Sequence, residues 1–206
     1  TRCEGSMTYH YEGDDLIVRK IEVGEMENNV YVLECPDTHE AFLVDASFEA
    51  DKILAEAEGA DIVGILMTHG HFDHVQVLGE LKERLAVPVY AHPGDDYPIA
   101  IDETLSDGDE LKFGKDHVVK VVHTPGHTAG GVCFLTGRHL VSGDTLFPGG
   151  PGNTWEDPKK FAQIIQQIET KLFTLPDDTI VYPGHGKDTT IGREKPYLQE
   201  WKDRGW

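Results

Sequence analysis

The sequence predicts an α/β protein of four layers, in which two mixed β-sheets pack together and helices cover both outer faces. Two observations support this prediction. Apolar runs of strand length and of helical spacing follow the order strands, helix, strand, helix, and this order occurs twice along the 206 residues. Residues that bind metals well also follow several of the predicted strands directly, where sites in layered α/β proteins usually lie.

The first half of the chain begins with three strands that we expect to form an antiparallel meander, because turn-prone residues at 28–29 and 36–37 separate them. A short helix then ends at Gly59. A buried strand follows and leads into an amphipathic helix. The predicted elements are strands 16–18, 30–33 and 41–44, helix 49–58, strand 62–67, a helix through 75–85, and strand 88–91.

The second half repeats the pattern after a loop at 93–109, which is rich in proline, glycine and acidic residues. The glycine-rich segment 148–156 is a second predicted loop, and it lacks the Gly-Lys-Ser/Thr ending of a phosphate-binding loop. Asp157 and Pro158 give the next helix a strong start signal. The predicted elements are strands 110–113, 118–122, 132–135 and 139–142, helix 158–172, strand 179–182, and helix 195–204.

Composition excludes several classes of function. The net charge of -19 repels phosphate backbones and anionic lipids, so we expect neither nucleic acid nor membrane as a partner. No apolar run approaches the roughly 20 residues that span a bilayer, and no secretory signal is visible, so we expect a cytoplasmic protein. Residues 1–6 resemble an expression remnant before Met7, which leaves 7–206 as one predicted domain.

The three cysteines, Cys3, Cys35 and Cys133, are too few and too scattered for a disulfide framework. Cys35 and Cys133 lie in apolar, strand-like surroundings, so we expect buried thiols. Neither Cys133 nor Ser142 has an activating partner at motif spacing. The sequence therefore predicts chemistry that does not depend on a serine or cysteine nucleophile.

The segment 68–74 places four residues of metal-ligand type, His69, His71, Asp73 and His74, between a strand and a helix. Neutral imidazole and carboxylate are ligands that zinc, iron and manganese accept. Residues two apart in an extended segment point the same way, so His69 and His71 can reach one ion together. Asp73 and His74 follow as the chain turns and can face a second point. The segment therefore predicts a metal site.

Three further motifs place a residue of this type after a strand. They are Thr-Pro-Gly-His-Thr at 124–128, Ser-Gly-Asp-Thr-Leu-Phe at 142–147 and Tyr-Pro-Gly-His-Gly at 182–186. With the His-x-His-x-Asp-His run, these motifs resemble the metallo-β-lactamase superfamily in their residues and their order, over nearly all of 8–206. The last two motifs are most similar to the glyoxalase II branch, in a short form without its C-terminal helical domain.

The resemblance implies an αββα sandwich and a site for two divalent metal ions, zinc first, with iron and manganese as alternatives. It implies that His69, His71 and His127 hold one ion, that Asp73, His74 and His185 hold the other, and that Asp144 bridges both. Asp73 and Asp144 would be the catalytic residues. A bridging hydroxide would then attack an acyl carbonyl, most simply that of a thioester, at a site with a formal charge of about +1.

Substrate identity stays open at this point. Glyoxalase II enzymes carry a basic residue in the glycine-rich loop, where Asn153 stands here, and the chain ends about twenty residues after His185. Lys187, Arg193 and Lys195 are alternative cations, although we interpret them as surface charges. A one-iron persulfide dioxygenase, a lactonase or β-lactamase-like hydrolase, and a non-catalytic metal-binding protein are alternative functions.

Several other residues have open roles. Asp45 is either an ordinary residue at a strand end or a hydrogen-bond partner of a ligand histidine. For His92 we expect a structural role or a supporting role behind a ligand, and not metal binding. The segments 93–109 and 147–157 are expected to wall the pocket. Its predicted lining residues are Tyr97, Phe147 and Trp155.

Overall fold

The computed structural model describes residues 9–206, so the expected expression remnant, Cys3 and Met7 lie outside the described residues. Within this range, a mixed sheet of seven strands runs in chain order from one edge to the other. The first four strands pair antiparallel, and the last three add in parallel. The strands are β1 (Tyr11–Glu12), β2 (Ile17–Val23), β3 (Asn28–Glu34), β4 (Glu40–Val44), β5 (Asp61–Leu66), β6 (Val89–Ala91) and β7 (Glu103–Thr104).

A second mixed sheet of six strands is built from the other half of the described residues, with a two-stranded ribbon, β12 and β13, beside it. The strands of this half are β8 (Glu110–Phe113), β9 (His117–His123), β10 (Val132–Thr136), β11 (His139–Gly143), β12 (Leu146–Phe147), β13 (Gly150–Pro151), β14 (Ile180–Pro183) and β15 (Thr189–Thr190). The sheet has the order β15-β14-β11-β10-β9-β8, and only β11 and β14 pair in parallel.

Helices cover the outer face of each sheet. The α-helices are α1 (Ala50–Glu56), α2 (Phe72–Val75), α3 (Leu78–Leu85), α4 (Pro158–Gln167), α5 (Ile191–Glu194) and α6 (Leu198–Arg204). A π-helical turn, Ile168–Leu172, continues α4, and a 3₁₀ turn, Lys195–Tyr197, joins α5 to α6. No helix within 9–206 combines the length and the apolar character that a bilayer-crossing segment needs. The cytoplasmic location and the domain boundary at residue 7 stay predictions.

Three apolar clusters hold the layers together, and strand β3 shows how one strand serves two of them. Val30 and Val32 face α1 and α3, whereas Tyr31 and Leu33 face the second sheet, because side chains alternate along a strand. All four are almost fully buried, and burial of such a side chain stabilises the fold by about 1.5–3 kcal/mol. The third cluster packs α4 and α6 onto the second sheet. The αββα sandwich is therefore confirmed.

Four predicted elements differ from the structure. The loop 93–109 contains β7, whose two residues are both exposed and leave no apolar pattern. The glycine-rich loop contains β13, which pairs with β12. The predicted helix 195–204 begins earlier, at Ile191, and is interrupted near Pro196, because proline lacks a backbone N–H. The predicted helix through 75–85 likewise divides into α2 and α3.

The topology brings distant parts of the chain to one edge of the sandwich. β4 and β5 run parallel in the first sheet, and β11 and β14 run parallel in the second, so each pair ends at the same edge. The segments that follow β5, β11 and β14 carry His69, Asp144 and His185 respectively. A backbone bridge between Asn28 and His185 joins the two sheets at this edge. All the predicted metal-type residues therefore meet there.

Candidate metal centre

The structure brings the seven predicted ligand residues into one cluster. Their ligand atoms form three groups in which all atoms lie within 4.8 Å of one another. The groups are His69, His71 and His127; Asp73, His74 and His185; and His69, His74 and Asp144. Asp144 lies between the other two groups, since one of its oxygens is 3.4 Å from His127 Nε2 and 3.3 Å from His185 Nε2.

The distances between these atoms fit a metal ion better than direct hydrogen bonding. His74 Nε2 lies 3.4 Å from Asp73 Oδ2 and 3.5 Å from Asp144 Oδ1, and His69 Nε2 lies 3.7 Å from Asp144 Oδ2. Two ligands at about 2.1 Å from one tetrahedral ion are themselves about 3.4 Å apart. His69 Nε2, His127 Nε2 and Asp144 Oδ1 are also buried without a hydrogen-bond partner. Buried polar atoms rarely lack a partner, so these atoms indicate that the cluster is suited to a divalent metal.

Hydrogen bonds behind the cluster fix which nitrogen of each ring faces inward. His74 Nδ1 donates to Asp45 Oδ2 at 2.9 Å, and His69 Nδ1 lies 3.0 Å from Thr68 Oγ1. His127 Nδ1 donates to the Asn153 carbonyl at 2.7 Å, and His185 Nδ1 to the Met26 carbonyl at 2.8 Å. Because Nδ1 of each ring is engaged by these partners, Nε2 of each ring points into the cluster, which is the orientation that metal-binding histidines require. The structure therefore makes Asp45 a partner of a candidate ligand histidine.

Asp73 is held in the same way, because Asn28 Nδ2 donates to its Oδ2 at 3.0 Å. The backbone at residue 184 must also approach the site closely. A Cβ atom at Gly184 would lie 2.2 Å from Asp144 Oδ1, so only glycine fits there. The Pro-Gly-His-Gly motif therefore supplies both a candidate ligand and the space beside it.

The pKa shifts distinguish neutral histidines from ionised carboxylates within the cluster. Burial and the neighbouring His74 hold the pKa of His69 well below its usual range, and burial lowers the pKa of His127. Both rings are therefore neutral, which is the form that binds metals. Burial opposes ionisation of Asp144, but His185 and His74 overcome it and hold the pKa of this carboxyl well below its usual range. The two carboxylates, Asp73 and Asp144, are therefore ionised at neutral pH.

Comparison with known protein families shows which family this chain belongs to. The model of the metallo-beta-lactamase superfamily matches residues 23–185. The chain belongs to the metallo-β-lactamase superfamily. Among its relatives in this superfamily is hydroxyacylglutathione hydrolase GloC from Haemophilus influenzae, which is 33% identical over 79% of this chain and 89% of that protein.

Solved structures of the superfamily show the same fold. ETHE1 from Myxococcus xanthus has a TM-score of 0.80 and 30% identity, over 88% of this chain and 83% of that chain. TTHA1623 in a di-iron-bound form has a TM-score of 0.73 and 32% identity, over 85% of this chain and 96% of that chain. The superfamily fold, the types of the ligand residues and the hydrogen bonds to Nδ1 of the histidines therefore all indicate a metal centre at this edge of the sandwich.

Two clefts open onto the cluster and share His71, His127 and Trp155. The first, here called the apolar cleft, measures about 280 Å³ and is bordered by Met26 and Phe72. The second, here called the charged cleft, measures about 370 Å³. Its further lining residues include Gly94, Asp95, Asp96, Thr128 and Lys160.

The pocket prediction is confirmed for Trp155, which lines both clefts. Tyr97 packs against the apolar cluster under the first sheet, and Phe147 lines neither cleft, although its ring centre is 6.3 Å from that of His185. Lys187, Arg193 and Lys195 line neither cleft, in agreement with their interpretation as surface charges. His92 stacks on His123 with ring centres 4.0 Å apart and lies outside the cluster.

Sequence analysis missed Asn28, Thr68 and Lys160. Asn28 and Thr68 adjoin predicted elements, but no spacing rule connects either one to a histidine. Lys160 occupies the first turn of α4, where a lysine is ordinary, and only the folded chain brings it to the charged cleft. The carbonyl groups of Met26 and Asn153 carry no sequence signal at all, since every residue has one.

The metal-free protein is expected to lose stability as the pH rises from about 6.5 to 10. Burial lowers the pKa of His185, but the neighbouring carboxylates of Asp144 and Asp73 outweigh burial and raise the pKa from its usual 6.5 to about 10. His74 shifts in the same direction. A histidine whose pKa is higher in the folded than in the unfolded protein stabilises the fold. This stabilisation is complete at pH values below the pKa of the unfolded state, and it is lost as the pH rises to the pKa of the folded state.

Urea unfolding in the presence of a chelator, at pH values between 6 and 9.5, measures this effect. The variant His185→Gln is the comparison, and its stability should fall less steeply over the same range. The metal-loaded protein should not share the loss, because ions bind the deprotonated rings. An equal pH dependence in the variant and the unaltered protein would contradict the assignment.

Proposed function

We propose that this protein hydrolyses thioesters of small molecules at a site for two divalent metal ions, zinc first and iron or manganese as alternatives. The observation that carries the proposal is the meeting of six ionisable ligand residues around a seventh, Asp144. In the proposed site, Asp144 would help to hold both ions. The other residues divide into two sets, His69, His71 and His127 on one side and Asp73, His74 and His185 on the other.

Bound divalent ions supply Lewis acidity, which polarises a substrate carbonyl and makes a water molecule acidic near neutral pH. The chain itself does the positioning. The ionised oxygens of Asp73 and Asp144 accept hydrogen bonds from water and fix its direction. The partners on Nδ1 of His74, His127 and His185 keep the Nε2 atoms of these rings directed inward.

Within residues 9–206, neither Cys133 nor Ser142 is suited to act as a nucleophile at the cluster. Burial raises the pKa of the Cys133 thiol to about 11, so the thiolate is scarce at neutral pH. The Ser142 hydroxyl is buried and donates to the Leu146 carbonyl at 2.7 Å. Attack by activated water is therefore the simplest route to acyl transfer at this site.

A thioester suits the surface around the cluster. Met26, Phe72 and Trp155 border the apolar cleft, and their side chains are 49%, 64% and 54% exposed. Exposed apolar side chains grouped at a cavity commonly mark a ligand site. A thioester offers both an apolar acyl chain to contact them and a weakly solvated sulfur. The relative from Haemophilus influenzae is named for hydrolysis of a glutathione thioester, which supports the same reaction class here.

The test measures metal content and turnover together. The purified protein is analysed for zinc, iron and manganese, is then loaded with each metal, and is assayed on a small panel of acyl thioesters and lactones. We expect thioester hydrolysis that depends on metal loading and is faster than lactone hydrolysis. Failure to hydrolyse any thioester with any of the three metals would refute the proposal. Oxygen uptake with a persulfide substrate would replace it with the one-iron dioxygenase alternative.

A further inference from the structure

The charged cleft holds charges of opposite sign that do not neutralise each other. Lys160 contributes an ammonium group, and Asp95 and Asp96 contribute carboxylates. No nitrogen–oxygen pair within 4.0 Å joins Lys160 to a carboxylate among residues 9–206. The ammonium group is therefore available to a ligand.

Lys160 is held close to the metal centre by an aromatic ring. Its Nζ atom lies 5.6 Å from the centre of the Trp155 ring, within reach of a cation–π contact. Trp155 in turn stacks on His127 with ring centres 5.1 Å apart and meets His71 edge-on at 5.5 Å. The cation is thus one aromatic ring away from two candidate metal ligands.

The two aspartates of the cleft have different tasks. Asp95 is fully used, because its oxygens accept hydrogen bonds from Gly70 N at 3.0 Å, Thr128 Oγ1 at 2.7 Å and Gly130 N at 2.7 Å. It fastens the cleft wall to the segments that carry His71 and His127. The exposed Asp96 side chain has no hydrogen-bond or ion-pair partner within the described part of the chain. Its carboxylate is therefore available as well.

We propose that Lys160 and Asp96 are specificity-determining residues that bind the zwitterionic α-amino-acid end of the thiol portion of the substrate. This rests on the proposed thioester hydrolysis. The ligand carboxylate meets Lys160, and the ligand ammonium group meets Asp96. A simple carboxylate would be repelled by Asp96, and a simple amine by Lys160, so the pair favours a ligand that carries both charges.

A matched set of four thioesters tests the proposal. They share one acyl group and differ in the N-substituent of a cysteamine thiol, which is γ-glutamyl (zwitterionic), glutaryl (anionic), 4-aminobutyryl (cationic) or butyryl (neutral). We expect the zwitterionic compound to have the lowest KM, with kcat similar across the set. Exposed charge pairs are weak, so the expected difference from the neutral compound is about five- to tenfold.

Two variants and one control assign the charges. Lys160→Gln should remove the benefit of the ligand carboxylate, and Asp96→Asn should remove the benefit of the ligand ammonium group. Each variant should raise KM for the zwitterionic compound about three- to fivefold, and by a larger factor than KM for the neutral compound. Lys159→Gln is the control, because Lys159 precedes Lys160 on α4, carries the same charge and does not line the cleft. It should leave the order of the four substrates unchanged.

The outcomes separate this inference from the proposed function. Equal KM values for all four thioesters would overturn the zwitterion site and leave thioester hydrolysis intact. A Lys160→Gln effect that extends equally to the neutral compound would also overturn it, since charge recognition would not explain that effect. Hydrolysis of none of the four would refute the proposed function itself.

Discussion

Asp144→Asn is expected to remove both metal ions and to lower kcat/KM by about three orders of magnitude or more, since metal catalysis of this kind supplies several kcal/mol. The reason is the central position of this carboxylate. Its oxygens lie 3.3–3.7 Å from Nε2 of four histidines, His69, His74, His127 and His185. A neutral amide removes one negative charge from between two cations and turns an NH₂ group towards one of them.

The measurement combines elemental analysis with turnover of a small thioester, and Asp73→Asn is the matched comparison. Asp73 Oδ2 lies 3.4 Å from His74 Nε2 and 3.3 Å from His185 Nε2, which are both members of its own group. Asp144, in contrast, also lies near His69 and His127. The Asp73→Asn variant should therefore lose one ion and keep the other. Asp203→Asn, an exposed carboxylate on α6, controls for the loss of charge. Retention of both ions by Asp144→Asn would show that Asp144 does not join the two halves of the centre.

Much of the candidate centre could be predicted because histidine and aspartate are recognisable as metal ligands from the sequence alone. Imidazoles and carboxylates at strand ends are rare enough to stand out, and parallel strand pairs bring such ends together. The assignment of His69 and His71 to one group came from the two-residue period of an extended chain, and the structure places them together. The layered fold could be predicted from the order of strands and helices, because each element shows its own periodicity of apolar residues within a short segment.

The features that escaped prediction depend on contacts between distant residues. Lys160 lies over the Trp155 ring, which in turn stacks on His127. Tyr97 packs inward against an apolar cluster. Strand β7 is defined by hydrogen bonds to β6 and not by its own side chains. In each case the partner is far away in sequence, so no local pattern encodes the outcome.

Asp45→Asn is expected to lower metal affinity by about 10- to 100-fold without unfolding the protein, because a partner of a ligand histidine has effects of this size. Asp45 Oδ1 accepts from the Thr68 backbone N–H at 2.8 Å, and Oδ2 accepts from Thr68 Oγ1 and from His74 Nδ1 at 2.8 and 2.9 Å. In the variant, the amide oxygen stays with the backbone N–H. The amide NH₂ then faces His74 Nδ1, which must accept.

The consequence is a change of tautomer. When His74 accepts at Nδ1, its proton moves to Nε2 and points at Asp73 Oδ2 and Asp144 Oδ1, which lie 3.4 and 3.5 Å away. A protonated Nε2 cannot bind an ion, so the group formed by Asp73, His74 and His185 is weakened most. Excess metal should restore activity in part, because the ion can displace this proton.

Competition with a chelator, followed by turnover at rising metal concentration, measures the loss. Asp15→Asn is the matched control, because Asp15 Oδ2 pairs with His139 Nε2 at 2.8 Å, a similar aspartate–histidine contact that involves none of the candidate ligands. The control should bind metal as the unaltered protein does. Unchanged affinity in Asp45→Asn would mean that His74 keeps its tautomer without the carboxylate, and that the hydrogen bond behind the ring does not govern the site.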